Sequence, residues 1–339
     1  MILTYKVKHL RDLSEELKKA KKVALFALKT KSRSSKNVKH IGLPSSISNQ
    51  ILKKYSSNKV LKRVTSVKLT VPAQGIKFSN NLISISCLKL KLSFDKKIGK
   101  INQIELDSKY AFISCTISEN IVLQPMSWVG VDLNATGHCC VASDPKTGKV
   151  LKLGKKANHI HKKYKNIRKN LQKKKKYKAV KNIRDRESRI VRDLNHKISS
   201  KLVKEAKRQN AGIVLEDLKG IRKNKKQAKS FKGTLNSWSF YQLLQFIIYK
   251  AKLLGVPVVQ IDPRYTSQQC SICGLLGLRN GKQFKCPHCG HVENADVNAS
   301  FVISLRHQGI LQIPADRDAG MGILTMPKRI GRKGLQPRN

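Results

Sequence analysis

Four cysteines give the sharpest chemical signal in the sequence. Cys270-Ser-Ile-Cys273-Gly274 and Cys286-Pro-His-Cys289-Gly290 are two Cys-x-x-Cys knuckles, each followed by a glycine. Four thiolates at this spacing fit one tetrahedral Zn²⁺ with Zn–S about 2.3 Å, and a site closed by four thiolates is structural, not catalytic. The glycines allow the backbone to fold back under the sulfurs. His288 and His291 lie among them as rival ligands, but the symmetric four-cysteine set is the simpler choice. A redox dithiol suits one such pair better than two. Cys87, Cys115, Cys139 and Cys140 stand in apolar, strand-like text and read as buried small side chains.

Acids are scarce, so their positions carry information: 20 Asp+Glu serve 339 residues. Asp132 closes a short apolar run in Gly130-Val-Asp-Leu-Asn134, and Glu216 closes another in Ile213-Val-Leu-Glu-Asp217. Asp296 opens a helical run in Asn294-Ala-Asp-Val-Asn-Ala-Ser300. Three carboxylates brought to one place repel each other unless divalent cations bind them. Mg²⁺ is the expected ion, because it takes one or two carboxylates together with waters and phosphate oxygens. Two such ions, about 3.5–4 Å apart, are the usual means of hydrolysing a phosphodiester. Asp217 follows Glu216 and points to the other strand face. Asp262 precedes a proline and reads as a turn residue.

The elements that must position these groups alternate between strand and helix. In the second part of the chain, 129–133, 138–143 and 150–153 read as strands joined by turns. A long polar helix follows over 159–209, then a strand at 211–215, a helix at 239–254, a strand at 256–261, the cysteine pairs, and a helix at 296–305. That order builds a mixed sheet covered by helices, in which the first and fourth strands can be neighbours. Upstream, 2–8 reads as a strand. Asp12-Leu-Ser-Glu15 has the spacing of a capping box for a helix running to Leu28. A Ser/Lys loop covers 30–39, and 45–55 is a shorter helix. From 64 to 121 the period becomes two, with a phase change near Cys87 that suggests a bulge. This pattern predicts a small antiparallel barrel with a helical insertion at about 10–58. Residues 307–339 read as a basic tail.

Composition points to a polyanionic partner. The chain has 70 Lys+Arg, a formal net charge of +50, which favours nucleic acid over a membrane surface. No run approaches the roughly 18 apolar residues of a membrane span, and the start lacks the apolar core of a signal peptide, so an intracellular protein is expected. Residues 155–192 hold 17 Lys/Arg and two acids. Lys162, Lys163, Lys165, Arg168, Lys169 and the run Lys173, Lys174, Lys175, Lys176 are candidate phosphate contacts, with Tyr164 and Tyr177 as stacking surfaces. The stretch 219–232, with Lys223, Lys225 and Lys226, is a second basic segment beside Glu216, suited to guiding a single strand.

The second part of the chain resembles the RuvC-like nuclease of transposon-encoded TnpB (OrfB-type) proteins, relatives of the compact type V CRISPR effectors. The resemblance rests on Gly130-Val-Asp-Leu-Asn134, Val214-Leu-Glu-Asp-Leu218, Thr266 to Gly274, Cys286-Pro-His-Cys-Gly290 and Ala295-Asp-Val-Asn-Ala-Ser300, in that order, and covers about 127–306. It implies an RNase H-like mixed sheet with a zinc-ribbon insertion at 266–294, preceded over 1–126 by a wedge-like barrel with an inserted helical recognition part. It also implies a prokaryotic, metal-dependent, RNA-guided DNA endonuclease with Asp132, Glu216 and Asp296 as catalytic carboxylates and the four cysteines as zinc ligands. Its guide RNA comes from the element, and its target is double-stranded DNA with a short flanking motif. A silent RNA-guided DNA binder, a compact CRISPR effector, a strand-transfer transposase and a zinc-ribbon RNA-binding protein are the competing readings. Oligomeric state, whether monomer or dimer, is not encoded in these motifs.

Overall fold

The computed structural model describes residues 1–58, 60–61, 63–117, 121–122, 124–134, 137–218 and 240–314. The chain divides into two compact units, Met1–Glu119 and Asn120–Asn339.

In the first unit, β1 (Ile2–Lys8) is followed by α1 (Ser14–Thr30) and α2 (Ser45–Ser56). Then come β2 (Leu69–Pro72), β3 (Lys77–Ser79), β4 (Leu82–Ile85), β5 (Leu90–Ser93), β6 (Lys100–Leu106) and β7 (Tyr110–Thr116). Helix α1 buries Ala20, Val23, Ala24 and Ala27, a stripe at i, i+3, i+4 and i+7. It packs with Ile47, Ile51 and Leu52 of α2 into one core shared with Leu69, Val71, Ile83, Ile85, Ile104 and Ile113. The helices do lie between the first and second strands. The strands, however, form two sheets, β1-β7-β6-β2 and β3-β4-β5, and not the one barrel expected. Alternation marks a strand and its buried face; it does not encode which strands pair.

Three local expectations change. The α1 N-cap is Leu13, without a side-chain cap. Asp12 instead accepts from the Ser14 N–H (3.0 Å), and Glu15 pairs with Lys18. The segment 30–39, expected as loop, is partly a 3₁₀ turn, Ser35–Ile41. The phase change near Cys87 is a 3₁₀ turn, Ser86–Leu88, ended by Lys89 at φ 48°; it leaves Cys87 exposed, not buried.

The second unit is built on a five-stranded sheet of order β10-β9-β8-β11-β12. Its strands are β8 (Ser127–Leu133), β9 (Cys140–Ser143), β10 (Val150–Leu153), β11 (Ala211–Glu216) and β12 (Val258–Ile261). Central β8 runs parallel to β11 and antiparallel to β9, so the sheet is mixed. The long helix expected over 159–209 is two, α3 (Lys155–Lys173) and α4 (Tyr177–Arg208). The break falls in the lysine run 173–176, where Lys175 takes φ 54°: a continuous helix would set like charges three and four residues apart beside each other, as in Lys169/Lys173, Lys173/Lys176 and Lys174/Lys178. Helix α5 (Phe240–Leu254) packs Leu243, Ile247 and Ala251 against Ile198, Leu202 and Val203 of α4. Strands β13 (Leu278–Asn280), β14 (Gln283–Lys285) and β15 (Val292–Asn294) form a small separate sheet before α6 (Ala295–His307).

Helix α6 lies unusually close to β8. A Cβ on Gly130 would sit 2.0 Å from the Ser300 carbonyl oxygen, so only glycine permits this crossing. Ser304 donates to the Trp128 carbonyl (2.6 Å), and Ser143 and Ser300 hydroxyls pair at 2.6 Å. Past α6, Leu311 packs on Val302 and Leu305, and the Gln312 carbonyl accepts from Gln269. Residues 307–314, expected as tail, are therefore part of the unit; 315–339 lie outside the described residues. Among the described residues, no helix is long and apolar enough to cross a membrane.

Candidate metal and nucleic-acid sites

The parallel pairing of β8 with β11 fixes the first two carboxylates. The last paired rung is Val131 with Leu215, and Asp132 and Glu216 are the next residues on each strand. The close packing of α6 on β8 brings Asp296, in the first turn of α6, toward the same end. Asn294 caps that helix by accepting from the Asp296 and Val297 N–H groups.

The electrostatics show that the three acids share one environment. Asp132 is 8% exposed, and Asn134 donates to its Oδ2 at 2.8 Å. Burial first, then the charge of Glu216 and more weakly that of Asp296, push its carboxyl up to about 8, against the Asn134 bond and Arg279. Burial likewise raises Glu216, opposed by the hydroxyl of Thr266, which donates to it, and by Arg306 and Arg279. Asp296 holds two cations, Arg279 at 3.2 Å on Oδ1 and Lys282 at 2.6 Å on Oδ2. A buried acidic cluster of this kind fits a hard divalent cation, whose charge would relieve the repulsion. Asp144 is a useful contrast. It is more deeply buried than Asp132, but Ser127, Thr147 and the Lys146 N–H satisfy it inside a hairpin turn. Asp262 is also a turn residue, accepting from the Arg264 backbone and side chain.

The thiols are assembled more tightly. Cys270, Cys273, Cys286 and Cys289 have all four Sγ atoms within 4.8 Å of one another, and they are the one such group of three or more His, Cys, Asp or Glu among the described residues. The carboxylates are thus more open than the thiols. Cys270 and Cys289 sulfurs are 3.7 Å apart, and those of Cys273 and Cys286 3.5 Å. Bonds of about 2.3 Å at tetrahedral angles separate sulfurs by about 3.8 Å, so the cluster fits zinc. The knuckle glycines Gly274 (φ 79°) and Gly290 (φ 71°) are left-handed, and each N–H returns to the first cysteine carbonyl of its knuckle. Burial pushes the Cys273 thiol up to about 11, so loading with metal releases protons. His288 and His291 are not part of the cluster.

Of the basic candidates, Lys162, Lys163, Lys165, Lys169 and Lys173 to Lys176 are exposed on α3 and the turn after it. Arg168 is committed to Glu187, which also takes a 2.7 Å bond from His161 Nδ1, so this acid clasps α3 to α4. Tyr164 is buried and offers no stacking surface, whereas Tyr177 is exposed. Lys223, Lys225 and Lys226 lie outside the described residues. Sequence reasoning missed a second basic row: Lys197, Lys201, Lys204 and Arg208 line an open groove of about 570 Å³ on α4. Their spacing of three to four residues was the available signal. It also missed Arg279 and Lys282, which reach Asp296 only because the β13–β14 hairpin folds back.

Known proteins resemble this chain in sequence over parts of its length. The Cas12f1-like TNB domain profile matches residues 240–303, which hold α5, the cysteine cluster and Asp296. A TnpB-like protein of Methanocaldococcus jannaschii is 37% identical over 177 residues, 49% of this chain and 64% of that one. The CRISPR-associated endodeoxyribonuclease Cas12f1 of Sulfoacidibacillus thermotolerans is 38% identical over 135 residues, 39% of this chain and 31% of that one. The chain thus spans less than two thirds of the length of these relatives. A solved Cas12f1 chain, from a complex with single guide RNA and target DNA, aligns with a TM-score of 0.46 at 18% identity, covering 90% of this chain and 99% of that one. In sequence the chain is thus similar to TnpB-like proteins and to Cas12f-type CRISPR-associated endodeoxyribonucleases.

Proposed function

We propose that this protein is an RNA-guided DNA endonuclease in which Asp132, Glu216 and Asp296 hold two catalytic Mg²⁺ ions. The observation that carries the reading is the shared environment of the three acids, in which Glu216 and Asp296 both raise the carboxyl of Asp132. When bound, the two ions would activate a water and stabilise the departing oxygen in phosphodiester hydrolysis. The chain's own part is to fix the carboxylates. Asn134 orients Asp132, Thr266 orients Glu216, and the Asn294 cap fixes the start of α6.

On this reading the mixed sheet of 127–306 is RNase H-like, of the RuvC kind, with 266–294 as its zinc ribbon. Residues 1–126 form a wedge-like region with its helical recognition part, and 307–339 include a basic tail. The guide RNA derives from the element itself, the target is double-stranded DNA with a short flanking motif, and the protein works in a prokaryotic cytoplasm. A net charge of +50 and the exposed lysines of α3 suit a polyanion on both counts.

The test is to sequence the RNA that copurifies with the full chain and to reprogram its variable end. A guide with one constant and one variable end, directing cuts to a matched duplex, supports the proposal. Absence of bound RNA, or cutting indifferent to the variable end, overturns it.

A further inference from the structure

Asp296 already has cationic partners, and one of them is built differently from the other. Arg279 is braced: its Nε donates to the Gly281 carbonyl (3.2 Å) while its terminal nitrogen reaches Asp296. Lys282 has no such brace on its ammonium. Its backbone carbonyl accepts from the Ala295 N–H at 2.9 Å, which ties it to the start of α6. Its side chain remains 38% exposed, against 5% for that of Asp296. The end of that side chain lies beside Gly137, about four ångström from where a Cβ would be (3.4 Å for Cε, 3.8 Å for Nζ). Gly137 belongs to the turn that follows Asp132. The Lys282 ammonium therefore stands between the segment after Asp132 and the carboxylate of Asp296, with one side toward solvent.

We infer that Lys282 is a resident counter-ion of the carboxylate site, which a divalent cation displaces from Asp296 and which then meets a backbone phosphate of the entering strand. The inference rests on the reading of Asp132, Glu216 and Asp296 as a metal site. A lysine suits this role better than an arginine, since its ammonium is a compact charge on a flexible stem. Two positive charges cannot both hold Oδ2 cheaply, so the metal competes with the ammonium until a phosphate draws the ammonium away. The consequence is a site that loads metal weakly in the protein alone and more tightly once nucleic acid arrives.

The test needs a readout of metal that does not depend on cleavage. Fe²⁺ with ascorbate and peroxide cuts a polypeptide close to where the ion binds, and Mg²⁺ suppresses the cut by competition. Zinc-loaded full chain is compared as wild type, Lys282→Met, Lys282→Arg and Asp296→Asn, with one zinc per chain confirming an intact ribbon. Lys282→Met should lower the half-suppressing Mg²⁺ concentration by about tenfold, because one competing charge is gone at contact distance. Lys282→Arg should not lower it. An uncleavable phosphorothioate oligonucleotide should tighten Mg²⁺ binding in wild type and have little effect in Lys282→Met. If Lys282→Met matches wild type while Asp296→Asn loses the directed cut, the counter-ion inference falls and the metal site stands. If Asp296→Asn keeps the cut, the metal reading falls and takes this inference with it.

Discussion

The cysteine cluster and the carboxylate cluster solve the same physical problem in opposite ways. The thiols come from one stretch of 20 residues, Cys270 to Cys289, with their sulfurs already at tetrahedral spacing. The carboxylates come from two strands and a helix spread over Asp132 to Asp296, and their charge is balanced inside the protein by Arg279, Lys282 and the raised carboxyl of Asp132. A closed site of soft ligands is formed by local chain geometry. On the proposed reading, an open site of hard ligands must be held apart until ions and substrate arrive, so it needs a rigid sheet behind it and cations beside it. The contact of α6 with β8 at Gly130 supplies that rigidity.

The largest expected effect comes from the open site. Glu216→Gln keeps the shape and removes the charge. Cleavage of a guide-matched duplex should fall by at least about a thousandfold, since ligands acting as one unit do not compensate for each other. Duplex binding, measured by gel shift under the same conditions, should remain.

Cys273→Ser attacks the closed site and should act through structure. Metal analysis should show zinc falling from one per chain to near none, because a structural site contributes folding free energy directly. The ribbon should lose protection from hydrogen exchange while the five-stranded sheet keeps it. Cleavage should drop as well, since Arg279 and Lys282 belong to the ribbon's hairpin. Retention of zinc with three thiols would show that the two clusters are less different than the comparison holds.

A smaller effect separates the sites by pH. The folded carboxyl of Asp132 sits near 8, far above the usual value of about 4 for an unfolded aspartate. The folded state therefore holds more protons than the unfolded state between those values, and this contribution to stability falls as pH rises through that window. In Mg²⁺-free buffer, the melting temperature of wild type should decline between pH 6 and 8.5 more than that of Asp132→Asn. Added Mg²⁺ should stabilise wild type more at pH 8.5 than at pH 6. Parallel pH curves for the two proteins would remove the electrostatic half of the comparison. The smallest effect belongs to Asp217→Asn, next to Glu216. Its N–H pairs with the Ile261 carbonyl in the sheet, and strand alternation turns its side chain to the other face. Cleavage should change by less than about twofold.

Much of this was legible in the residues. The knuckles could be read because all four ligands are close in sequence. The positions of the three acids, though not their role, could be read because each lies near a strand end or a helix start, and parallel pairing then brings the two strand ends together. What escaped depends on tertiary contact. Arg279 and Lys282 look like two more cations in a basic chain until the hairpin brings them to Asp296. The break at Lys174 to Lys176 carries no glycine or proline, only charge density. The upstream strands announced their buried faces but not their partners, so one barrel was expected where two sheets form.

The central claim is that three acids from distant segments form one centre for Mg²⁺-dependent cutting. The most direct measurement is cleavage and binding of a guide-matched, correctly flanked duplex by wild type and Asp132→Ala, each with Mg²⁺ and with Ca²⁺. Asp132→Ala should bind as tightly as wild type, or slightly tighter through reduced repulsion, and should not cut. Wild type should bind with either ion and cut only with Mg²⁺, because the larger, looser Ca²⁺ shell positions water poorly. Full cutting by Asp132→Ala would contradict the claim.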